Sequence, residues 1–335
     1  MLLVKLVAPA ALFAYLLWRV PAADYQAFLE QPKQWPLLFA AQLTALLAIT
    51  ISFLRWFLLV RSFEIPFTPG EALRLGFLGY LLNFVSFGSV GGDLFKAILV
   101  ARDKPEKRPE AVASVLLDRA IGLLGLIILA WVSLLSVPSE ELSSVLLAIR
   151  RASGIVVVAS VVALVSAVFA GQWFERLLDT FQRLPLAGPT LVRMARAVRK
   201  LRSRPQVILL LLALAVTVHT LLAGTIYLIS CGVYSQQPTL MQHMMVVPPG
   251  MAAGALPLAP GGIGLQEGAL AELFRQLPDL PEKFSGMLVA TVYRMVTVAI
   301  CGIGLLLYWL SHGKDLRLVK KLSGANDSPS SQVEL

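Results

Sequence analysis

The chain has 335 residues, 57% of them hydrophobic and 15% charged, with a formal net charge of +9. A soluble domain carries about 25% charged residues, so this composition excludes an ordinary water-soluble protein. The basic excess lies in loops between apolar runs rather than on a folded basic face, which argues against nucleic acid and for positive-inside membrane topology.

The first apolar run covers residues 3 to 20. Residues 6 to 18, after Lys5 and before Arg19 and Pro21, also fit a signal-peptide core, but a retained first helix is the expectation. Further runs long enough to cross a hydrocarbon core of about 30 Å lie near 35 to 60, 111 to 136, 153 to 171, 206 to 231 and 285 to 310. Trp18, Trp35, Trp56, Trp173 and Trp309 flank such runs, as an interfacial aromatic belt does.

Two other apolar regions, 72 to 101 and 244 to 276, are interrupted by small residues, FGSVGGD at 87 to 93 and LPLAPGGIG at 256 to 264. Such breaks free backbone groups, and lipid tolerates them only where protein or water satisfies those groups. If both regions enter and return as hairpins, 20 of the 29 Lys and Arg residues fall on the side of the termini and six on the other. Lys96, Arg119 and Arg294 then remain within the membrane, and the termini are cytoplasmic. The hairpins approach from opposite faces, and the order span, broken hairpin, span occurs twice, over 35 to 136 and 206 to 310. This is the pattern of an inverted repeat. The predicted fold is therefore an all-α polytopic membrane protein with about six spanning helices, two opposed re-entrant hairpins and a possible inverted repeat.

Residues 1–311 form the expected integral membrane domain. Within it, residues 172–205 carry eight Lys and Arg, either as an amphipathic helix on the cytoplasmic leaflet or as a solvated basic loop. Residues 312–335 read as a cytoplasmic tail, disordered toward its end.

Ionisable groups at membrane depth are costly, so each is a candidate site residue. Asp93 and Lys96 lie one helical turn apart just after Gly91 and Gly92. Asp118 and Arg119 are neighbours that point away from each other on a helix and need separate partners. Glu267 follows the second break, Pro260-Gly261-Gly262-Ile263-Gly264, and Arg294 sits in the last span. An economical arrangement pairs Asp93 with Arg119 and Glu267 with Arg294, while Asn83 and Tyr80 satisfy backbone groups at the first break. Alternatively, Lys96 and the N–H groups of Gly91, Gly92, Gly262 and Gly264 hold one anionic head group where two positive helix ends converge. On that view valine at Gly92 or Gly262 blocks transport without unfolding the protein. Cys231 and Cys301 lie in apolar spans, and His219, His243 and His312 lack ligand spacing, so no metal, disulfide framework or cofactor is expected. The glycines near 262 follow no strand and make no dinucleotide fingerprint, and no catalytic constellation is visible, so no enzyme activity is expected.

The segments NFVSFGSVGGDLFKAILV at 83 to 100, LLDRAIGLLGL at 116 to 126, LPLAPGGIGLQEGAL at 256 to 270 and VYRMVT at 292 to 297 carry a family likeness. The chain resembles the flippase-like membrane proteins typified by the transmembrane half of lysylphosphatidylglycerol synthase. The resemblance implies a prokaryotic plasma membrane and a role in moving or handling lipid between leaflets. Family members often have Glu-Arg and a later Asp where this chain has Asp118-Arg119 and Gly122, which implies a smaller charge network. Only a short tail follows Leu310, in place of the aminoacyl-transfer domain, so lysyl transfer is not expected. The leading expectation is a lipid translocator for an anionic lipid or lipid-linked precursor. A secondary transporter of a small solute and a scaffold for a lipid-modifying enzyme are the alternatives. Membrane lipids are the expected partners, with a homo-oligomer or a lipid-synthesis enzyme as further possibilities.

Overall fold

The structure, a computed structural model, describes residues 26, 29–85, 91–103, 105–169, 192, 204–256 and 262–310. The expected first span, most of the basic segment, the C-terminal tail, and Pro260 and Gly261 lie outside the described residues.

The described residues form nine α-helices and no strand. In chain order they are α1 (Trp35–Ser62), α2 (Pro69–Val85), α3 (Gly91–Asp103), α4 (Arg108–Leu135), α5 (Ser144–Phe169), α6 (Pro205–Val233), α7 (Leu240–Gly254), α8 (Leu265–Arg275) and α9 (Gly286–Leu310). Five of them, α1, α4, α5, α6 and α9, are long and apolar enough to cross a membrane. Large apolar side chains such as Phe39, Leu43, Ile155, Val162, Leu209 and Leu306 stand exposed on these helices. Such surfaces suit lipid rather than water, and the protein is a multi-pass membrane protein.

At 1.5 Å per residue, α2, α3, α7 and α8 reach only about 17 to 26 Å, too short to cross alone. They fold back in pairs instead. Gly79 of α2 meets Gly92 and Lys96 of α3, while Gly250 and Gly254 of α7 meet Leu270 and Gln266 of α8. The first hairpin extends beyond the expected limits at both ends, to Pro69–Asp103, and the second starts four residues earlier than expected and ends one residue sooner, at Leu240–Arg275. Capping explains the early starts. Thr68 and Glu71 bond reciprocally at the head of α2, and Thr239 and Gln242 do the same at the head of α7. Helix α7 also continues through Pro248 and Pro249, a pair that would break most soluble helices.

The span expected at 153 to 171 begins earlier, at Ser144, because Arg150 near its start reaches back to the Val137 carbonyl (3.2 Å) and to Ser139. Trp56, expected in an interfacial belt, is 1% exposed and belongs to the core.

Helices α1–α4 and α6–α9 form two copies of one unit. Helix α2 packs on α9, and its counterpart α7 packs on α4. Each of the other pairings has its partner too: α1 with α4 and α6 with α9, α1 with α2 and α6 with α7, α4 with α6 and α9 with α1. The equivalent helices α1 and α6 lie antiparallel, since the Gln34 N–H donates to the Gly232 carbonyl at 2.9 Å. Antiparallel packing of equivalent helices makes the repeat an inverted one. Helix α5 packs mainly on α4 and has no counterpart among the described residues.

Two apolar cores sit at opposite ends of this bundle. One gathers Trp56, Phe63, Phe67, Leu78, Phe95 and Val115 around the first hairpin, at the Ser62 end. The other gathers Leu134, Ile229, Val246, Phe274 and Leu288 around the second, at the Trp35 end. The hairpins therefore enter from opposite ends. With Cys231 and Cys301 replaced by alanine, cysteines at Glu106 and at Ser235 should react with an impermeant thiol reagent from opposite sides of the membrane. Labelling of both from one side would refute the two-ended arrangement.

Candidate functional site

Each hairpin begins its return helix with a carboxylate that pairs with an arginine in the following span. In the first, Asp93 lies three residues into α3 and accepts from Nε of Arg119 on α4. In the second, Glu267 accepts from Nε of Arg294 on α9 at 2.5 Å. The sequence separations are nearly equal, 26 and 27 residues, so the pairs are equivalent positions of the repeat. Both expected pairings are present.

The two sites differ in what surrounds the pair. Glu267 and Arg294 have side chains only 1% and 5% exposed. The second carboxylate oxygen of Glu267 accepts the Gly264 N–H at 2.7 Å, and Arg294 Nη2 lies 3.4 Å from Gln266 Oε1. Gly262 and Gly264, with φ of 67° and 88°, supply the left-handed backbone that brings the helix start onto its own carboxylate. This site is closed and neutral.

The first site is larger. Asp93 divides its oxygens between Arg119 and Lys96, whose Nζ lies 2.9 Å from Oδ1. Lys96 also stands 5.0 Å above the Trp56 ring, close enough for a cation–π contact. Asp118 points to the other side of α4 and pairs with Arg55 of α1 at 2.9 Å. Arg55 Nη2 also reaches the Asp118 carbonyl at 3.3 Å. A side chain at Gly122 would press on the guanidinium, so glycine here leaves room for Arg55. The Gly122 carbonyl accepts from Nε2 of His219 on α6 at 3.0 Å. Among the described residues, three buried polar atoms of this region have no hydrogen-bond partner: Arg55 Nη1, Trp56 Nε1 and His219 Nδ1. Asp93 and Lys96 are 13% and 12% exposed and Arg119 is 39% exposed, so this site is reachable where the other is sealed.

Several expectations need correction. Arg55, counted among the loop charges, is 4% exposed within α1. The continuation of α1 to Ser62 carries it inward. Of the glycine N–H groups expected to face a ligand, that of Gly92 donates to Asn83 Oδ1 at 2.8 Å and that of Gly264 to Glu267. Asn83 thus serves the first break as expected. The Tyr80 hydroxyl bonds with Thr297 of α9. Finally, a Cβ on Gly92 would collide with the Gly79 carbonyl, and one on Gly262 with the Gly254 carbonyl. Those glycines hold the hairpin arms together, so valine at either position should unfold its hairpin rather than merely block transport.

The fold and these paired sites define a class: polytopic membrane proteins in which two broken hairpins, entering from opposite ends, form an inverted repeat with charges at the breaks. The chain belongs to the family described as lysylphosphatidylglycerol synthase TM region, whose model matches residues 2–315. Membership relates it to membrane-lipid synthesis or translocation. Comparison with curated proteins and with solved structures gave no match.

Removing one partner of a buried ion pair costs about 3–5 kcal/mol, because the other charge is left uncompensated. Glu267→Gln and Arg294→Met should each lower the detergent melting temperature strongly, and the double variant should lose less than the two losses combined. The same non-additivity should hold for Asp118→Asn with Arg55→Met. Additive losses would show that the contacts are not coupled pairs.

Proposed function

We propose that the protein moves an anionic lipid, or an anionic lipid-linked precursor, between leaflets of a prokaryotic plasma membrane, with the Ser62 end and both termini cytoplasmic. The observation that carries this reading is the open ion network of Asp93, Lys96 and Arg119 beside the first break. Asp93 lies ten residues before the end of α3, about 15 Å along the helix and so near the middle of a hydrocarbon core of about 30 Å. Charges at that depth are retained for a polar guest or a polar path rather than for stability. Their partial exposure on a surface otherwise rich in apolar side chains suits a lipid whose chains stay in the bilayer while its head group enters the protein.

In this reading Lys96 and Arg119 meet the head group, Asp93 holds the two cations apart until it arrives, and Asn83 closes the backbone at the break. Glu267 and Arg294, with Gly262 and Gly264, keep the second hairpin in shape. The protein acts as a carrier without catalysis. Driving force comes from a gradient or from consumption of the lipid on the receiving side.

The test is leaflet exchange of fluorescent lipids in reconstituted vesicles. The wild type should exchange anionic lipid faster than protein-free vesicles, and Arg119→Gln should slow that exchange about tenfold or more, the scale of one lost charge contact at low dielectric. A wild type no faster than empty vesicles would refute translocation and favour a solute carrier or an enzyme scaffold.

A further inference from the structure

A cavity of about 160 Å³ lies at the Trp35 end, lined by none of the residues of the two hairpin sites. Three loops enclose it. Gln31 comes from the segment before α1, Tyr234 to Gln236 from the α6–α7 connection, and Pro281 to Lys283 from the α8–α9 connection. Its walls are tied together: the Gln34 N–H donates to the Gly232 carbonyl at 2.9 Å, the Ser285 N–H to the Tyr234 hydroxyl at 3.2 Å, and the Phe284 N–H to the Pro281 carbonyl at 2.9 Å. No lining residue belongs to a membrane-spanning helix, and the nearby Trp35 is 72% exposed. The cavity therefore sits at head-group depth, where tryptophan gathers.

Its lining carries both signs of charge. Glu282 and Lys283 are exposed, and among the described residues neither has an ion-pair or hydrogen-bond partner. Being adjacent in sequence, they bring a carboxylate and an ammonium to one rim. A second, independent observation concerns the wall. The Gln31 side-chain oxygen is buried and, among the described residues, accepts no hydrogen bond. An amide oxygen cannot donate, so what it lacks is a donor. Of the residues that line the cavity only Tyr234 is aromatic, whereas quaternary ammonium ligands take cages of several rings. The volume is below the roughly 300–1,000 Å³ of a site for a drug-sized molecule, so the guest is a head group rather than a whole lipid.

We propose that this cavity binds the head group of a zwitterionic lipid in which a phosphodiester is joined by a short link to a primary ammonium. Glu282 and the Gln31 oxygen take the ammonium N–H groups, and Lys283 meets the phosphate. The acyl chains stay in the bilayer beside Trp35. A head group of one sign leaves either Glu282 or Lys283 uncompensated, and a trimethylated ammonium brings no N–H to donate. The bonds that fix the walls use neither Glu282 nor Lys283, so binding orders little beyond those two side chains. The site is independent of lipid transport at the first hairpin.

The test is calorimetric titration of the full chain, in phosphatidylcholine nanodiscs, with soluble glycerophosphoethanolamine. Wild type should bind it at least about threefold more tightly than glycerophosphocholine or glycerophosphoglycerol, the scale of one exposed ion pair. Glu282→Gln should lose about threefold for the ethanolamine ligand and nothing for the glycerol one, and Lys283→Gln should weaken both. Glu140→Gln, which removes an exposed carboxylate at the same end but outside the cavity, should change neither. In phosphatidylethanolamine nanodiscs the soluble ligand should lose most of its binding, because the lipid already occupies the cavity. No binding to folded wild type, equal affinity for the three ligands, or an unchanged preference in a folded Glu282→Gln would overturn the site. Glycine binding as tightly as glycerophosphoethanolamine would overturn the phosphodiester. Undiminished binding in phosphatidylethanolamine nanodiscs would assign the same chemistry to a soluble compound and overturn the lipid source. Leaflet exchange enters none of these readings, so each failure leaves translocation standing.

Discussion

A broken helix in hydrocarbon must satisfy its own freed polar groups, and the architecture of this protein follows from how two breaks do so. At the first, the Asn83 side chain takes the Gly92 N–H; at the second, the Glu267 carboxylate takes the Gly264 N–H. The second solution places a charge inside the membrane, and the charge then requires Arg294. That requirement docks the hairpin on α9. In the first hairpin Asp93 recruits Arg119 and docks its hairpin on α4 in the same way. Backbone satisfaction, ion pairing and helix packing are thus one chain of causes in each half.

The halves diverge in what surrounds their carboxylate–arginine pairs. The second carboxylate is consumed by one arginine and one backbone donor and is sealed from solvent. The first is shared by a lysine and an arginine, and the arginine stays partly open. On α4, Asp118 precedes Arg119 and brings in Arg55, whereas on α9 Tyr293 precedes Arg294. One copy of the unit therefore keeps an uncharged lining where the other gained a charge pair, so a symmetric scaffold carries an asymmetric site.

Much of this was legible in the sequence. Apolar runs and glycine-rich breaks located the spans and hairpins, loop charges set the two hairpins in opposite senses, and the cost of unpaired charge at depth singled out the two carboxylate–arginine pairs. Arg55 was missed because hydropathy measures the length of a run and not the depth of a residue within it. The partner of Asp118 could have been sought, since adjacent charges on a helix cannot share one. The hairpin starts were also readable, from Thr68-Pro-Gly-Glu71 and Thr239-Leu-Met-Gln242, which are capping boxes at equivalent places in the two copies. What the sequence could not give was the use of each glycine. Gly92 and Gly262 look like openings for a ligand, yet they are contacts between hairpin arms, and only coordinates separate the two roles.

Helix α5, outside the repeat, settles a question of parity. A unit of two spans and a hairpin crosses the membrane an even number of times, so its chain leaves on the side where it entered. Joined directly, a second copy would start on that side and come out parallel to the first, with both hairpins entering from one face. One extra crossing between the copies turns the second upside down. An ordinary tandem duplication of such a unit would therefore become an inverted pair through the gain of a single helix, and α5, which needs little more than an apolar surface and a place against α4, is that helix.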